Sequence, residues 1–181
     1  MLLGLFFYLF RTDCVSQEKC GEIRANAQYW KPDEHDPYND ADLIIPRLYL
    51  GNVCAAHNET WLREKDITLV VCVAREWRGE CERAERGIRK LVYELDDSVG
   101  ENETLARETF ERIADALEQH KGSALVHCNM GISRSASAVM AFLQRKWPRK
   151  SYRRLLTMVR ARRPVVRPNN LFGRILCENE L

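Results

Sequence analysis

The run Ile67-Thr-Leu-Val-Val-Cys-Val-Ala74 constrains this chain more than any other segment. It is almost wholly apolar and rich in β-branched residues, the pattern of a strand buried on both faces. Such a strand needs a covering layer on each side, and helices are the usual cover. Leu91–Leu95 and Ser123–Cys128 repeat the pattern in shorter form. Between them Leu105, Ala106, Thr109, Phe110, Ile113 and Leu117 recur at helical spacing, with Glu and Arg on the opposite face. Residues 43–51 read as a further strand interrupted by Pro46, which suits an edge, and residues 58–65 as a short helix. Three helices follow: one through Ala136, Val139, Met140, Leu143 and Trp147, ended by Pro148; one through Leu155, Leu156 and Val159, ended by Pro164; and one through Leu171, Phe172, Ile175 and Leu176, after Pro168. The expected fold is α/β, a central and mainly parallel sheet flanked by helices, with a helical C-terminal block.

Composition narrows the class without choosing a function. A chain of 181 residues with 45% hydrophobic and 30% charged residues has the make-up of one globular domain, and no internal repeat marks a solenoid. The net charge of +2 conceals an asymmetry, because residues 119–177 hold 13 Lys/Arg and no Asp or Glu. An electropositive C-terminal third fits an anionic ligand. The seven cysteines, at 14, 20, 54, 72, 81, 128 and 177, show no CxxC pair and no Cys/His spacing that suits zinc. A domain long enough to bury a core needs no disulfide framework, so a reducing compartment, cytoplasm or nucleus, is expected.

Residues 1–42 are expected to form an N-terminal extension to a domain spanning 43–181. Its apolar run Leu2–Phe10, closed by Arg11, falls well short of the roughly 20 residues of a membrane helix and lacks a basic lead-in. It reads as a buried or self-associating element, with a signal peptide or a membrane contact through residues 2–10 as the alternative. Residues 28–42 mix Pro, Asn and five acids and read as an irregular, acidic surface connection.

Chemistry concentrates in Val126-His-Cys-Asn-Met-Gly-Ile-Ser-Arg-Ser135, at the junction of a strand and a helix. Such a junction offers backbone N–H groups and the positive end of a helix dipole, together an anion site. Cys128 opens the loop and Arg134 closes it. The amides of Asn129, Met130, Gly131, Ile132, Ser133 and Arg134 can then ring a tetrahedral oxyanion while the Arg134 fork takes two of its oxygens. Gly131 allows the close approach a Cβ would block. The amides, the helix end and Arg134 all favour the thiolate of Cys128, which can attack phosphorus directly and form a phosphocysteine. Ser135 can donate to the cysteine sulfur when it leaves, and His127 orients the loop.

The loop HCNMGISRSAS resembles the HCxxGxxRS loop of the dual-specificity protein phosphatases, with wording nearest the slingshot and MAP-kinase phosphatase types. LIIPRLYLGNVCAA is similar to that family's opening strand and turn, and RARRPVVRPNNLF to its closing Arg-x-x-Pro and Pro-Asn pattern. The resemblance implies a metal-independent enzyme with no cofactor, hydrolysing phosphotyrosine and also phosphoserine and phosphothreonine. It further implies an aspartic general acid about 30 residues before the nucleophile, where LVYELDDSVGEN supplies Asp97, favoured by its Asp-Ser step, or Asp96. Inositol-lipid phosphatases of the wider superfamily commonly carry Lys inside the loop. Here Asn129, Met130, Ile132 and Ser133 are uncharged, which favours a phosphoprotein.

Three alternatives stay open: a phosphate-binding adaptor with little turnover, a phosphatase of RNA 5′ ends, and one of phosphoinositides or phosphoglycans. The basic run Arg145, Lys146, Arg149, Lys150, Arg153 and Arg154 fits an acidic docking partner better than nucleic acid, because few aromatics interleave with it. Cys72, near the end of its strand, is a candidate resolving thiol for an oxidised Cys128 by the resemblance, against the plainer reading of a small buried hydrophobe.

Overall fold

The computed structural model describes residues 40–82, 87–98, 100 and 102–179. The apolar run 2–10 and residues 28–39 of the acidic connection lie outside the described residues. Five strands form one sheet: β1 (Ala41–Ile45), β2 (Leu48–Gly51), β3 (Ile67–Val73), β4 (Arg89–Tyr93) and β5 (Ser123–His127), in the order β1-β2-β5-β3-β4. β2, β5, β3 and β4 run parallel and β1 is antiparallel to β2, so the sheet is mainly parallel, as expected.

The segment 43–51 is not one interrupted strand. Pro46 and Arg47 form a tight turn, with Arg47 at φ 67°, and the two halves pair as a hairpin. Proline cannot donate to a ladder, and here it occupies the turn, where no ladder bond is needed. Ala41 and Asp42, read as the end of an irregular connection, belong to β1. β4, expected to be buried on both faces, is a half-buried edge strand.

Period-2 alternation assigns the two faces of β3 and β5. Leu69, Val71, Val73, Ala124 and Val126 meet the larger core, built with α4 (Glu103–Gln119), α5 (Arg134–Lys146), α6 (Tyr152–Arg160) and α7 (Asn170–Glu178). Val70 and Leu125 face the other way, against α1 (Val53–Ala56) and α2 (Glu59–Glu64), which supply Ala55, Ala56 and Leu62. Cys72 and His127, one step further along, turn the same way and are register partners. Between β3 and β4 lie a 3₁₀ turn, Arg75–Trp77, and the one-turn helix α3, Arg78–Cys81, which the sequence pattern did not signal. Among the described residues no helix is long and apolar enough to cross a membrane.

β5 is the central strand, so its C-terminal end has neighbours on both sides, the position where open α/β sheets place their ligands. Phe110 of α4 and Phe172 of α7 meet edge to face with ring centroids 5.3 Å apart, joining the long helix to the last one across the larger core. Both are buried. Phe110→Ala should lower the unfolding free energy by about 3–5 kcal/mol, measured by urea denaturation; a loss under ~1 kcal/mol would mean that this contact does not join the two helices.

Candidate active site

The loop from Cys128 to Arg134 joins β5 to α5, and its carbonyls are fastened from outside. The Asn129 carbonyl accepts from the Val53 amide at 3.1 Å and the Ile132 carbonyl from the Arg167 amide at 2.8 Å. The Met130 and Gly131 carbonyls accept from the Arg163 guanidinium, at 3.1 and 2.9 Å. The Ser133 carbonyl takes both the amide and the hydroxyl of Ser137, each at 2.8 Å. In a planar trans peptide the N–H points opposite to the C=O, so carbonyls turned outward leave the following amides turned in. The Gly131 amide does so visibly, donating to Cys128 Sγ at 3.3 Å. Gly131 sits at φ 69°, and a Cβ there would lie 2.4 Å from the Gly51 carbonyl oxygen. Only glycine meets both demands.

Cys128 is buried, and its sulfur also receives the Ser135 hydroxyl at 3.2 Å. His127 is fully buried and sets Nδ1 3.3 Å from the Cys128 carbonyl. Because that carbonyl can only accept, Nδ1 carries the proton.

Arg134 is buried and bidentate to Glu76, NH1 to Oε2 and NH2 to Oε1, both at 2.6 Å, and NH1 also reaches the Leu95 carbonyl at 3.1 Å. Its Nε is buried with no hydrogen-bond partner among the described residues. An orphaned buried donor is costly, and here it lies on the group that closes an anion loop. Burial works against the Arg134 charge, but Glu76 and the nearby Cys128 outweigh it and raise its pKa further. Glu76 was not foreseen from the sequence, nor was Trp77, whose Nε1 donates to Asn129 Oδ1 at 3.1 Å. Both lie on the 3₁₀ turn, which has no periodicity to reveal it.

Asp97 faces the loop. Its Oδ1 accepts from the Ser133 hydroxyl at 2.7 Å and from Asn169 Nδ2 at 2.9 Å, and its Oδ2 lies 4.0 Å from Arg134 Nε. Asp96 instead makes an exposed pair with Arg75 at 3.4 Å. Ser133 precedes α5 in the N-cap position but makes no cap bond. Its hydroxyl serves Asp97 and accepts the Asn169 amide at 3.1 Å. Asn169, the N-cap of α7, thus ties the last helix to the acid.

Cys72 lies under the loop in one buried cluster with Cys128, Trp77 and Cys81. Its sulfur meets that of Cys81 at 2.7 Å. Among the described residues one group of donors could hold a metal: Cys72, Cys81 and His127, with donor atoms within 4.8 Å of one another. Two thiolates on a tetrahedral zinc, each about 2.3 Å from the metal, stand much further apart than these sulfurs, so the pair does not fit that ion. Of the basic run, Arg145 is taken up by Glu111, Asp115 and Glu118 of α4, while Lys146, Arg149, Arg153 and Arg154 are exposed.

Residues 48–181 match the model of the dual-specificity phosphatase catalytic domain, and the chain belongs to that family. It is 42% identical over 108 residues to human dual specificity protein phosphatase 26, covering 58% of this chain and 51% of that protein. It is 33% identical over 145 residues to dual specificity protein phosphatase 1 of Arabidopsis thaliana, covering 78% of this chain and 70% of that protein. The chain thus spans about half the length of the first of these relatives. Among solved structures it superposes on the human tyrosine phosphatase-like serine/threonine/tyrosine-interacting protein with TM-score 0.65 and 31% identity, over 77% of this chain and 95% of that one. A mouse dual-specificity phosphatase complexed with zinc tungstate also gives TM-score 0.65 at 31% identity, over 83% and 91% of the two chains.

The Glu76–Arg134 pair makes a pH-dependent contribution to stability. Burial raises the Glu76 pKa, but the hydrogen bond from Arg134 outweighs it and holds the carboxyl below its ordinary range. A depressed folded-state pKa gives stability that is present above the unfolded value and lost as pH falls through the folded one. Glu76→Gln should therefore cost about 1–2 kcal/mol at pH 7, a figure discounted because the carboxylate is partly in solvent. In urea unfolding the gap from wild type should close as pH falls below about 4; a gap unchanged at low pH would mean that the charge of Glu76 contributes nothing.

Proposed function

We propose that the chain is a cysteine-dependent protein phosphatase that hydrolyses phosphotyrosine and, by the same chemistry, phosphoserine and phosphothreonine. The observation that carries this reading is the loop itself: Cys128 Sγ receives the Gly131 amide and the Ser135 hydroxyl inside a ring whose carbonyls are all held outward. Membership of the family supports it. The tungstate bound by the mouse relative is a tetrahedral oxyanion, and this loop is shaped to take such a group.

In the proposed reaction the Cys128 thiolate attacks phosphorus while the loop amides and Arg134 Nε hold the non-bridging oxygens. Asp97 protonates the departing phenolate or alkoxide, giving phosphocysteine. Water activated by the Asp97 carboxylate then attacks, and the Ser135 hydroxyl stabilises the thiolate that leaves. Glu76 and His127 act by position, holding Arg134 and the loop. The uncharged loop residues Asn129, Met130, Ile132 and Ser133 favour a phosphoprotein over a polyphosphorylated lipid. The exposed Lys146, Arg149, Arg153 and Arg154 offer an acidic region of that substrate a docking surface. A reducing compartment, cytoplasm or nucleus, keeps Cys128 a thiol.

A second reading is a phosphate-binding adaptor, favoured by the likeness to a protein named for interacting with its partner. Turnover separates the two. Wild type should release phosphate from a phosphotyrosyl peptide in the presence of EDTA and Cys128→Ser should not; activity that survives the substitution, or that needs a metal, defeats the proposal. Asp97→Asn should lower kcat by about 10²- to 10⁴-fold on phosphopeptide and remove the alkaline limb of the pH profile, whereas Asp96→Asn should leave both near wild type. The opposite outcome would give the acid role to Asp96.

A further inference from the structure

Cys72, the penultimate residue of β3, faces away from the larger core, and Cys81 closes α3, nine residues later. Both are free thiols and both are buried. Their sulfurs are 2.7 Å apart. Unbonded heavy atoms of comparable size rest at about 3.5–4.0 Å, and a disulfide closes at about 2.05 Å, so the pair is nearer to bonding than to ordinary contact. His127 Nε2 stands 3.6 Å from the Cys81 sulfur, within hydrogen-bond reach of it, while Nδ1 meets the Cys128 carbonyl. The hydrogen bond with Cys72, helped by His127, holds the Cys81 thiol well below its ordinary value, while the same bond and burial push Cys72 up. Cys81 is thus the sulfur that the pair biases toward the anion, and Cys72 the neighbour placed to follow it. Cys128 Sγ is engaged elsewhere, by Gly131 and Ser135.

We propose that Cys72 and Cys81 form a disulfide with each other on exposure to a peroxide, a modification site separate from Cys128. The Cys81 thiolate attacks one peroxide oxygen, the O–O bond breaks, and sulfenic acid forms as the other oxygen leaves and takes up a proton as water. Cys72 sulfur then attacks Cys81 sulfur. The S–S bond forms, the S–O bond breaks, and the departing hydroxide takes the Cys72 proton. Two thiols and one hydrogen peroxide give one disulfide and two waters, with two electrons passing from sulfur to oxygen. The bond staples β3 to the segment 75–81, whose Glu76 and Trp77 hold Arg134 and Asn129. The pairing assigns Cys72 a partner other than the one expected from the sequence. It does not depend on the phosphatase reading, since it is read by mass and not by activity.

The test treats the full chain with hydrogen peroxide, alkylates it with iodoacetamide after denaturation, digests it with trypsin and maps the peptides. The expected product joins DITLVVCVAR to GECER, with two alkylatable thiols lost and both restored by dithiothreitol, while Cys128 in GSALVHCNMGISR remains alkylatable. Cys128→Ser should give the same cross-link, and Cys81→Ser or Cys81→Ala should abolish it and leave Cys72 free to alkylate. A cross-link between the Cys72 and Cys128 peptides would overturn the proposal. So would recovery of Cys72 and Cys81 fully alkylated after Cys128 has been oxidised, or a bound zinc ion that shields both thiols until it is chelated.

Discussion

The guanidinium of Arg163 is the contact on which the rest of the site depends. It is buried, donates to two successive loop carbonyls, Met130 and Gly131, and is neutralised by Asp42 of β1 at 2.6 Å. A buried cation without a partner would be strongly destabilising, so the ion pair and the two carbonyls require one another. Turning those carbonyls outward is what turns the loop amides inward. The edge hairpin thereby takes part in the site through Asp42.

A second layer of contacts disposes the charged groups. Glu76 occupies the two terminal nitrogens of Arg134 and leaves Nε as a buried donor with no hydrogen bond among the described residues. A bidentate carboxylate fixes the plane of a guanidinium, so the remaining donor has a defined direction before any ligand arrives. Preorganisation of this kind is the principal means by which a protein stabilises developing negative charge. Ser133 and Asn169 do the same for Asp97: Ser133 gives up capping its own helix, whereas Asn169 donates through its amide nitrogen while its oxygen still caps α7.

The sequence by itself determined the layers and the chemistry of the loop. Buried strands at 67–73 and 123–127, the amphipathic helix through Phe110 and the C-terminal helices follow from local periodicity, because burial imposes its period directly on residue type. Cys128, Gly131, Arg134 and Ser135 are legible for a similar reason, since an anion loop is built from one continuous stretch of chain. Of the two adjacent acids, Asp97 lies against Ser133 and Asp96 pairs with Arg75. Only the tertiary structure decided what surrounds them. Glu76 meets Arg134 across 58 residues, Trp77 meets Asn129 across 52, and Asp42 meets Arg163 across 121. Cys81 lies on no strand and carries no local signal, yet α3 folds its sulfur onto Cys72. Those partners are set by the strand order β1-β2-β5-β3-β4, which brings the ends of β3 and β5 together. Local periodicity records whether a residue is buried, and carries no information about which distant segment does the burying.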